Sequence, residues 1–392
     1  MSAFALTDEQ LAYAREVREV AMQDLLPLAE RGAEGQVNRP LLEAMGKHGL
    51  LGRLFGRSGR TAAAMELCLL RETLATVCTE AETALALQAL GSYPFFLFGT
   101  EEQAGRYRDG VAAGTVVASF ALSEAEAGSD AAALQLRAEP DGTGWRLTGE
   151  KTWISNAPEA DVYTVFARTT ADARARGITA FVVAGDAPGL TGEHLDMLAP
   201  HAIGRLGFDG VRVEQADVLG EVDAGFKVAM RTLDVLRPSV GAFAVGMAQA
   251  ALDAALSHTT RREAFGGVLS DQQAVSHLLA EMATRVEASR LLVYAAAAAY
   301  DSGAPAAQLT RQAAMAKLFA TESAQFVVDA AVQLHGARAL QRGHLLERLY
   351  RDVRAPRIYE GASEVQRTII GRSLVQAATG PAGQAGLGGR EA

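Results

Sequence analysis

The chain has 392 residues, enough for two or three domains or one large multilayer unit with an ample core. Hydrophobic residues make up 49% and charged residues 21%, an ordinary balance for a folded soluble protein, and the formal charge of −9 argues against a nucleic-acid partner, whose phosphates require a basic surface. No stretch approaches the roughly 20 uninterrupted apolar residues of a membrane span, and residues 1–9 lack a basic region followed by an apolar core, so neither a membrane nor secretion is expected.

Residues 5 to about 114 read as helices. Thr7 and Gln10 form a capping-box pattern, and Leu11, Ala14, Val17 and Val20 follow at a near-helical period. Residues 62–90 are rich in Ala, Leu, Glu and Thr, Gly91 and Pro94 break that pattern, and Gly99-Thr100-Glu101-Glu102-Gln103 opens another short helix. Cys68 and Cys78, placed in one helical segment, read as small core residues of a reduced, cytoplasmic protein.

The texture changes at about residue 115. Residues 116–122, 135–139, 145–148, 162–167, 179–183 and 211–213 are strand-like, with Asp141-Gly142-Thr143-Gly144 as a hairpin turn, and short strands at this spacing predict a compact antiparallel sheet domain. From Gly225 helices resume over about 225–260, 271–301, 307–336 and 361–377, punctuated by Pro305 and Gly336. Five consecutive alanines (residues 295–299) favour helix and permit close helix–helix approach. The divisions expected are 1–114 (helical), 115–222 (β), 223–377 (helical bundle) and a tail, 378–392, too poor in apolar residues to pack.

Three segments stand out chemically. In Tyr359-Glu360-Gly361, a carboxylate follows a run of arginines and precedes a glycine that lets the backbone bend tightly. A lone glutamate near a helix start usually just complements the helix dipole. Here Ser363-Glu364-Val365-Gln366 is already a capping box, with Val365, Ile369, Ile370 and Leu374 as the buried stripe beyond it, so Glu360 falls outside the helix, where it can project into a cleft. Leu122-Ser123-Glu124-Ala125-Glu126-Ala127-Gly128-Ser129-Asp130 follows a strand and reads either as a helix cap (Ser123 with Glu126) or as a ligand-binding loop. Lys151-Thr152-Trp153-Ile154-Ser155-Asn156 follows the hairpin, and its tryptophan reads either as core or as a contact to a ligand. The chain has no Gly-rich nicotinamide or nucleotide-triphosphate fingerprint at these loops. The histidines (His48, His194, His201, His258, His277, His335, His344) are scattered and show no metal-ligand spacing, so no metal site is expected.

Taken together, Gly99 to Gln103, the 123–130 loop, residues 151–156, Arg262-Glu263-Ala264-Phe265-Gly266, Gln333-Leu334-His335-Gly336 and residues 350–366 resemble, in order, segments of the acyl-CoA dehydrogenase family. The resemblance implies an α+β fold with an N-terminal helical domain, a middle antiparallel β domain and a C-terminal four-helix bundle, assembled as a homotetramer or homodimer. It implies FAD-dependent α,β-dehydrogenation of an acyl thioester carried by coenzyme A or an acyl carrier protein, with electron-transfer flavoprotein or oxygen as acceptor. Glu360 matches the catalytic base. Phe120, Leu122, Ser123, Trp153 and Ser155 match loops against the flavin ring. Arg262, Phe265 and Gln273, with Gln333 and Gly336, match positions that a neighbouring subunit offers to FAD, and Ala362 and Glu364 match contacts to its diphosphate. Ser129, Asp234 and Arg237 match positions near the pantetheine or nucleotide arm, with Tyr359 and Gly361 beside the substrate. Three departures bear on FAD affinity: Ala125 stands where the family usually has proline, Ala362 where it usually has threonine, and Arg338 in a turn that is usually richer in glycine. Within the same fold, a flavin monooxygenase or oxidase is the competing activity. A non-catalytic scaffold is the competing reading from another class.

Overall fold

The computed structural model describes residues 6–55 and 62–379 of the chain. They divide into two compact units, Leu6–Leu236 and a second from Arg237 onward.

The first unit opens with helices α1 (Asp8–Val20), α2 (Leu26–Ala29), α3 (Arg39–Lys47), α4 (Ala64–Val77), α5 (Thr79–Phe98) and α6 (Glu101–Ala113). The capping boxes at Thr7 and Thr100 both form, each threonine hydroxyl accepting from the backbone N–H three residues on at 3.2 Å. Contrary to the expectation of a break at Gly91 and Pro94, α5 runs through both. The reason is packing. A Cβ on Gly91 would lie 2.4 Å from the Ser119 backbone nitrogen, so the missing side chain is what lets the helix touch a strand, and the surrounding burial outweighs the intrinsic penalty of proline. Cys68 lies within α4 but Cys78 sits between α4 and α5, where its Sγ accepts from the Ala81 N–H at 3.4 Å; both thiols are free and buried. Arg71 on α4 and Glu82 on α5 form a buried ion pair.

The sheet follows as β1 (Ala118–Ala121), β2 (Arg137–Asp141), β3 (Gly144–Ser155), β4 (Val162–Arg168), β5 (Ile178–Ala184), β6 (Leu190–His194), β7 (Ile203–Glu214) and β8 (Val218–Leu219). Its order is β6-β7-β3-β2-β4-β5-β8, with β1 on β4. The pairing is antiparallel apart from β1 with β4 and a single β2–β4 pair, both parallel. The hairpin at residues 141–144 forms as expected, with Gly142 at φ 65°. Residues 151–155, by contrast, do not follow the hairpin as a loop: they continue β3 along β7. Phe95, Val111, Leu134, Phe166 and Ile178 belong to the core that fills this unit.

Helix α7 (Gly225–Thr259) contains the division between the units. By length and composition it could cross a membrane, but 78% of its most apolar window is buried within the protein, which makes it a core helix. Beyond it come β9 (Glu263–Ala264), β10 (Gly267–Val268), α8 (Gln273–Asp301), α9 (Ala306–His335), α10 (Leu345–Asp352) and α11 (Ser363–Thr379). A Cβ on Gly241 would meet Val293 Cγ2 at 2.7 Å, so α7 and α8 approach closely, and the buried Ala296 and Ala297 belong to the same small-residue packing. Helix α10 was not foreseen, and α11 continues to Thr379, past the expected end at 377; the rest of the expected tail, from 380 onward, lies outside the described residues.

Candidate active site

In the second unit, the site is built on the turn between α10 and α11. A short 3₁₀ turn (Ala355–Arg357) leads into Tyr359, Glu360 and Gly361, with φ of 49° at Glu360 and 94° at Gly361. Two successive left-handed residues reverse the chain sharply, and only the second is a residue that adopts this conformation without strain. Glu360 is half-buried, and its Oε2 is shielded from solvent.

What holds this turn comes from α9. The Lys317 side chain is fully buried, and its Nζ donates to the Tyr359 carbonyl at 3.1 Å and the Gly361 carbonyl at 2.7 Å, on either side of Glu360. One turn along α9, Glu322 accepts from the Ser363 hydroxyl at 2.6 Å and from Arg357 Nε at 3.0 Å. Burial lowers the Lys317 pKa to about 8, against the raising influence of Glu360. The pKa of Glu322 is lowered too, since the Ser363 and Arg357 hydrogen bonds outweigh the raising effect of its burial.

The expected capping box at Ser363 is not made: the Gln366 N–H it would accept goes to the Ala362 carbonyl at 3.0 Å, and the Ser363 hydroxyl donates to Glu322. Ser363 is the first residue of the helix, and the Gln366 side chain folds back to the Gly361 carbonyl at 2.9 Å. Nor do the expected apolar residues form the buried stripe of α11. Ser363 and Gln366 are its buried residues, Val365, Ile369 and Ile370 are half-buried, and Leu374 is exposed. A Cβ at position 361 would lie 2.3 Å from Gln366 Nε2 in addition to the left-handed strain. Gly361→Ala is therefore expected to lose about 1–3 kcal/mol of stability, read by chemical denaturation; an unchanged midpoint would show that the turn relaxes freely.

Of the other expected residues in this unit, Arg237 on α7 is buried and its charge acts on Lys317. Ala362 is half-buried and its carbonyl accepts the Gln366 N–H at 3.0 Å, while Glu364 is exposed and paired with Arg367 at 3.2 Å. Arg262, Phe265, Gln273, Gln333 and Gly336 are exposed. Phe265 is 91% exposed on the β9–β10 hairpin, at φ 56°. The ends of α7 and α9 meet there through histidines that looked scattered in the sequence. His258 stacks on His335 at 4.2 Å between ring centroids, and His344 packs edge-on to His335 at 5.5 Å. Burial, then the neighbouring charges, hold the pKa of His258 below the usual imidazole range, and Arg338, exposed in the turn after Gly336, is one of those charges. Among the described residues no group of three His, Cys, Asp or Glu side chains is placed to hold a metal ion.

In the first unit, two segments meet beside the edge of β1. The register of β3 on β7 shifts between Lys151 and Ile154, and Trp153 at the bulge has φ 57° and is 48% exposed. Backbone and side-chain bonds stitch the segments together: the Thr152 N–H to the Ser123 carbonyl at 3.1 Å, Ser119 Oγ to the Ser155 carbonyl at 2.7 Å, and Asn156 Nδ2 to the Ala118 carbonyl at 3.0 Å. Leu122 is buried, Phe120, Ser123 and Ser155 are half-buried, and Phe120 packs on Phe166 with centroids 4.8 Å apart. The 123–130 loop is not a helix cap. Glu124 and Ala127 exchange backbone hydrogen bonds at 3.2 and 3.1 Å, closing a tight turn that leaves Ala125 and Ser129 exposed. Asp234 is half-buried on α7.

The support of this loop escaped the sequence reading. Lys151 is fully buried, and its Nζ donates to Glu124 Oε1 at 2.8 Å and to the Leu122 carbonyl at 2.9 Å. Glu124 also accepts the backbone N–H groups of Gln135 at 2.6 Å and Leu136 at 2.9 Å. Burial lowers the Lys151 pKa to about 8, with Glu124 opposing. The one available signal was a lysine four residues after the buried Leu147, on the inward-facing alternation of the same strand.

Comparison with known proteins closes the question of kinship. The descriptions of the acyl-CoA dehydrogenase N-terminal, middle and C-terminal domains match residues 7–115, 119–211 and 223–375. A probable acyl-CoA dehydrogenase of Mycobacterium tuberculosis, FadE25, is 37% identical over 95% of this chain and 97% of its own length. The solved butyryl-CoA dehydrogenase of Megasphaera elsdenii is 34% identical, with a TM-score of 0.88 over 95% of this chain and 99% of its own. The prolyl acyl carrier protein oxidase AnaB is 27% identical, with a TM-score of 0.88 over 94% of this chain and all of its own. With all three domain descriptions matched in order along almost its whole length, the chain belongs to the acyl-CoA dehydrogenase family.

Proposed function

We propose that Glu360 is the base with which this FAD-dependent acyl thioester dehydrogenase removes the α-proton of its substrate. The observation that carries the assignment is the turn itself: a carboxylate on a strained left-handed residue, with one oxygen shielded from water and a buried lysine bonded to the carbonyls on both sides. Strain of this kind persists where surrounding structure over-determines it, and it clusters at functional sites.

The residues present fit FAD. Trp153 is an aromatic ring pushed outward by a bulge, next to the half-buried hydroxyls of Ser123 and Ser155, as a flat ring system with polar edges requires. Phe265, Arg262 and Gln333 offer an exposed ring, a cation and an amide suited to an adenine and its phosphates. Bound FAD supplies the hydride acceptor that no side chain can. The protein's part is to take the α-proton on the Glu360 carboxylate as the hydride leaves the β-carbon and the α,β double bond forms. A positioned base contributes roughly 10²–10⁴-fold in rate. The Glu360 backbone N–H is assigned to the thioester carbonyl, where a preorganised donor contributes about 3 kcal/mol to the developing enolate. Arg237 and Asp234 are assigned to the carrier arm, with Ser129.

A coenzyme A thioester and an electron-transfer flavoprotein are the proposed substrate and acceptor. The 37% identity to FadE25 and 34% to the butyryl-CoA dehydrogenase, against 27% to the acyl carrier protein oxidase, support the coenzyme A thioester. A cytoplasmic homotetramer or homodimer, with domain divisions near 115 and 223, completes the proposal; the exposure of Phe265, Arg262 and Gln273 on a single chain is what such an assembly would cover. The test is anaerobic titration of the yellow holoenzyme with saturated acyl-CoA and acyl carrier protein thioesters. Bleaching by a CoA thioester is expected. Bleaching only by carrier-protein thioesters, with rapid reoxidation by oxygen, would move the assignment to the oxidase class, and bleaching only by a reduced nicotinamide to a monooxygenase.

A further inference from the structure

We propose that Lys317 is the positioning residue that holds Glu360 in its working orientation, through an amine bonded to the two carbonyls that flank it. The proposal rests on the reading of Glu360 as the base.

Lys317 lies on the face of α9 that is otherwise lined by Ala313, Ala320, Thr321 and Ala324, all buried. A cation enclosed in such surroundings is strongly unfavourable unless hydrogen bonds satisfy it. Here the bonds go to the Tyr359 carbonyl at 3.1 Å and the Gly361 carbonyl at 2.7 Å. The Tyr359 oxygen lies in the peptide plane that enters Glu360 and the Gly361 oxygen in the plane that leaves Gly361, so one amine ties together the two ends of the Glu360-Gly361 reversal and with them restricts the direction of the Glu360 Cα–Cβ bond. The conformation needs such a clamp, because a left-handed residue other than glycine brings its Cβ too close to the backbone to be adopted freely. The Gly361 carbonyl also accepts from Gln366 Nε2 at 2.9 Å, and the far side of the turn is tied by Ser363 and Arg357 to Glu322. Lys317 is therefore the only one of these charged anchors that grips both carbonyls beside the base.

The charges facing the amine are Glu360, Arg237 on α7, Glu322 on its own helix and Glu364 on α11. Burial brings its pKa down to about 8. Above that pH the neutral amine keeps two hydrogens but loses its charge, and bonds to a neutral donor are roughly half as strong. The clamp loosens as pH rises through that range.

The test uses the FAD-loaded enzyme and a bleaching thioester. Lys317→Met should keep its flavin and show a KM close to that of the wild type, with kcat lower by about 10–100-fold, the scale of loss when a reacting group is displaced by about 1 Å. The wild-type rate should fall as pH rises through about 8, and Lys317→Met should lack that break; Lys317→Arg, charged throughout, should recover part of kcat and also lack it. A Lys317→Met enzyme with wild-type kcat, or one that keeps the alkaline break, overturns the proposal. Should that variant not fold, a wild-type profile flat from about pH 7 to 10 overturns it equally, since an intact clamp with a titrating amine must leave a trace there. Glu360→Gln separates the two readings. Full-rate bleaching by Glu360→Gln removes the base itself, whereas an inactive Glu360→Gln beside a fully active Lys317→Met removes only the clamp.

Discussion

Glu360→Gln should give a yellow, folded protein that binds its thioester but bleaches more slowly by about 10²–10⁴-fold, the contribution of a placed general base. The substitution keeps the length and planarity of the side chain, and the Lys317 amine bonds the carbonyls on either side of residue 360, not its side chain. The turn should therefore survive, and the loss should fall on kcat with KM little changed, the signature of an interaction made in the transition state. Rapid-mixing measurement of flavin absorbance under anaerobic conditions reads the effect directly. Bleaching by Glu360→Gln at the wild-type rate would mean that another group removes the proton. Glu360→Asp keeps the acid but withdraws it by one methylene, and an intermediate loss is expected.

The largest effect on stability should come from Glu124. Removing its carboxylate strands the fully buried Lys151 amine and leaves the backbone N–H groups of Gln135 and Leu136 without their acceptor. Breaking one partner of a buried pair is unfavourable by about 3–5 kcal/mol, and in a domain of this size each kcal/mol lowers the melting temperature by about 2–4 °C. Glu124→Ala should therefore melt many degrees lower, and the double variant Glu124→Leu with Lys151→Met should recover much of the loss, since replacing both charges removes the stranded one. The pH dependence has a definite sign. With a folded pKa of about 8, well below that of an unfolded lysine, Lys151 binds fewer protons in the native state across that interval, so its contribution to stability rises with pH there and is lost below about 8. Taking away Glu124, which opposes the shift, should open that rising window at lower pH. Thermal denaturation of wild type and Glu124→Gln across this range checks it, and identical profiles would show that the two side chains do not interact as drawn.

The α–β–α order, most helix limits and the position of Glu360 were legible because they rest on local signals: periodicity, caps, and a glycine after a carboxylate. What the sequence hid depends on partners distant along the chain. Gly91 and Pro94 looked like breakers because nothing local announces that the backbone near Ser119 passes 2.4 Å from where a side chain would begin. Ser363 and Gln366 matched a cap in sequence, yet the helix already includes Ser363, the Gln366 N–H goes to the Ala362 carbonyl, and the two side chains donate instead to Glu322 and the Gly361 carbonyl. His258, His335 and His344 form a stack only because two helix ends converge. Lys317 was the recoverable omission. It falls at the spacing of Ala313, Ala320 and Ala324, so the same 3.6-residue period that predicted the helix also put a charge on its buried face.

Enclosure of Lys151 and Lys317 has one more consequence. An amine with a pKa near 8 is partly unprotonated at neutral pH and thus far more nucleophilic than an ordinary surface lysine. Activated acyl groups transfer spontaneously to such amines. In an enzyme that handles these compounds, the enclosure that lowers the pKa of these two nitrogens also seals them from bulk solution, and a protein that unravels exposes them only as ordinary lysines, protonated and slow to acylate.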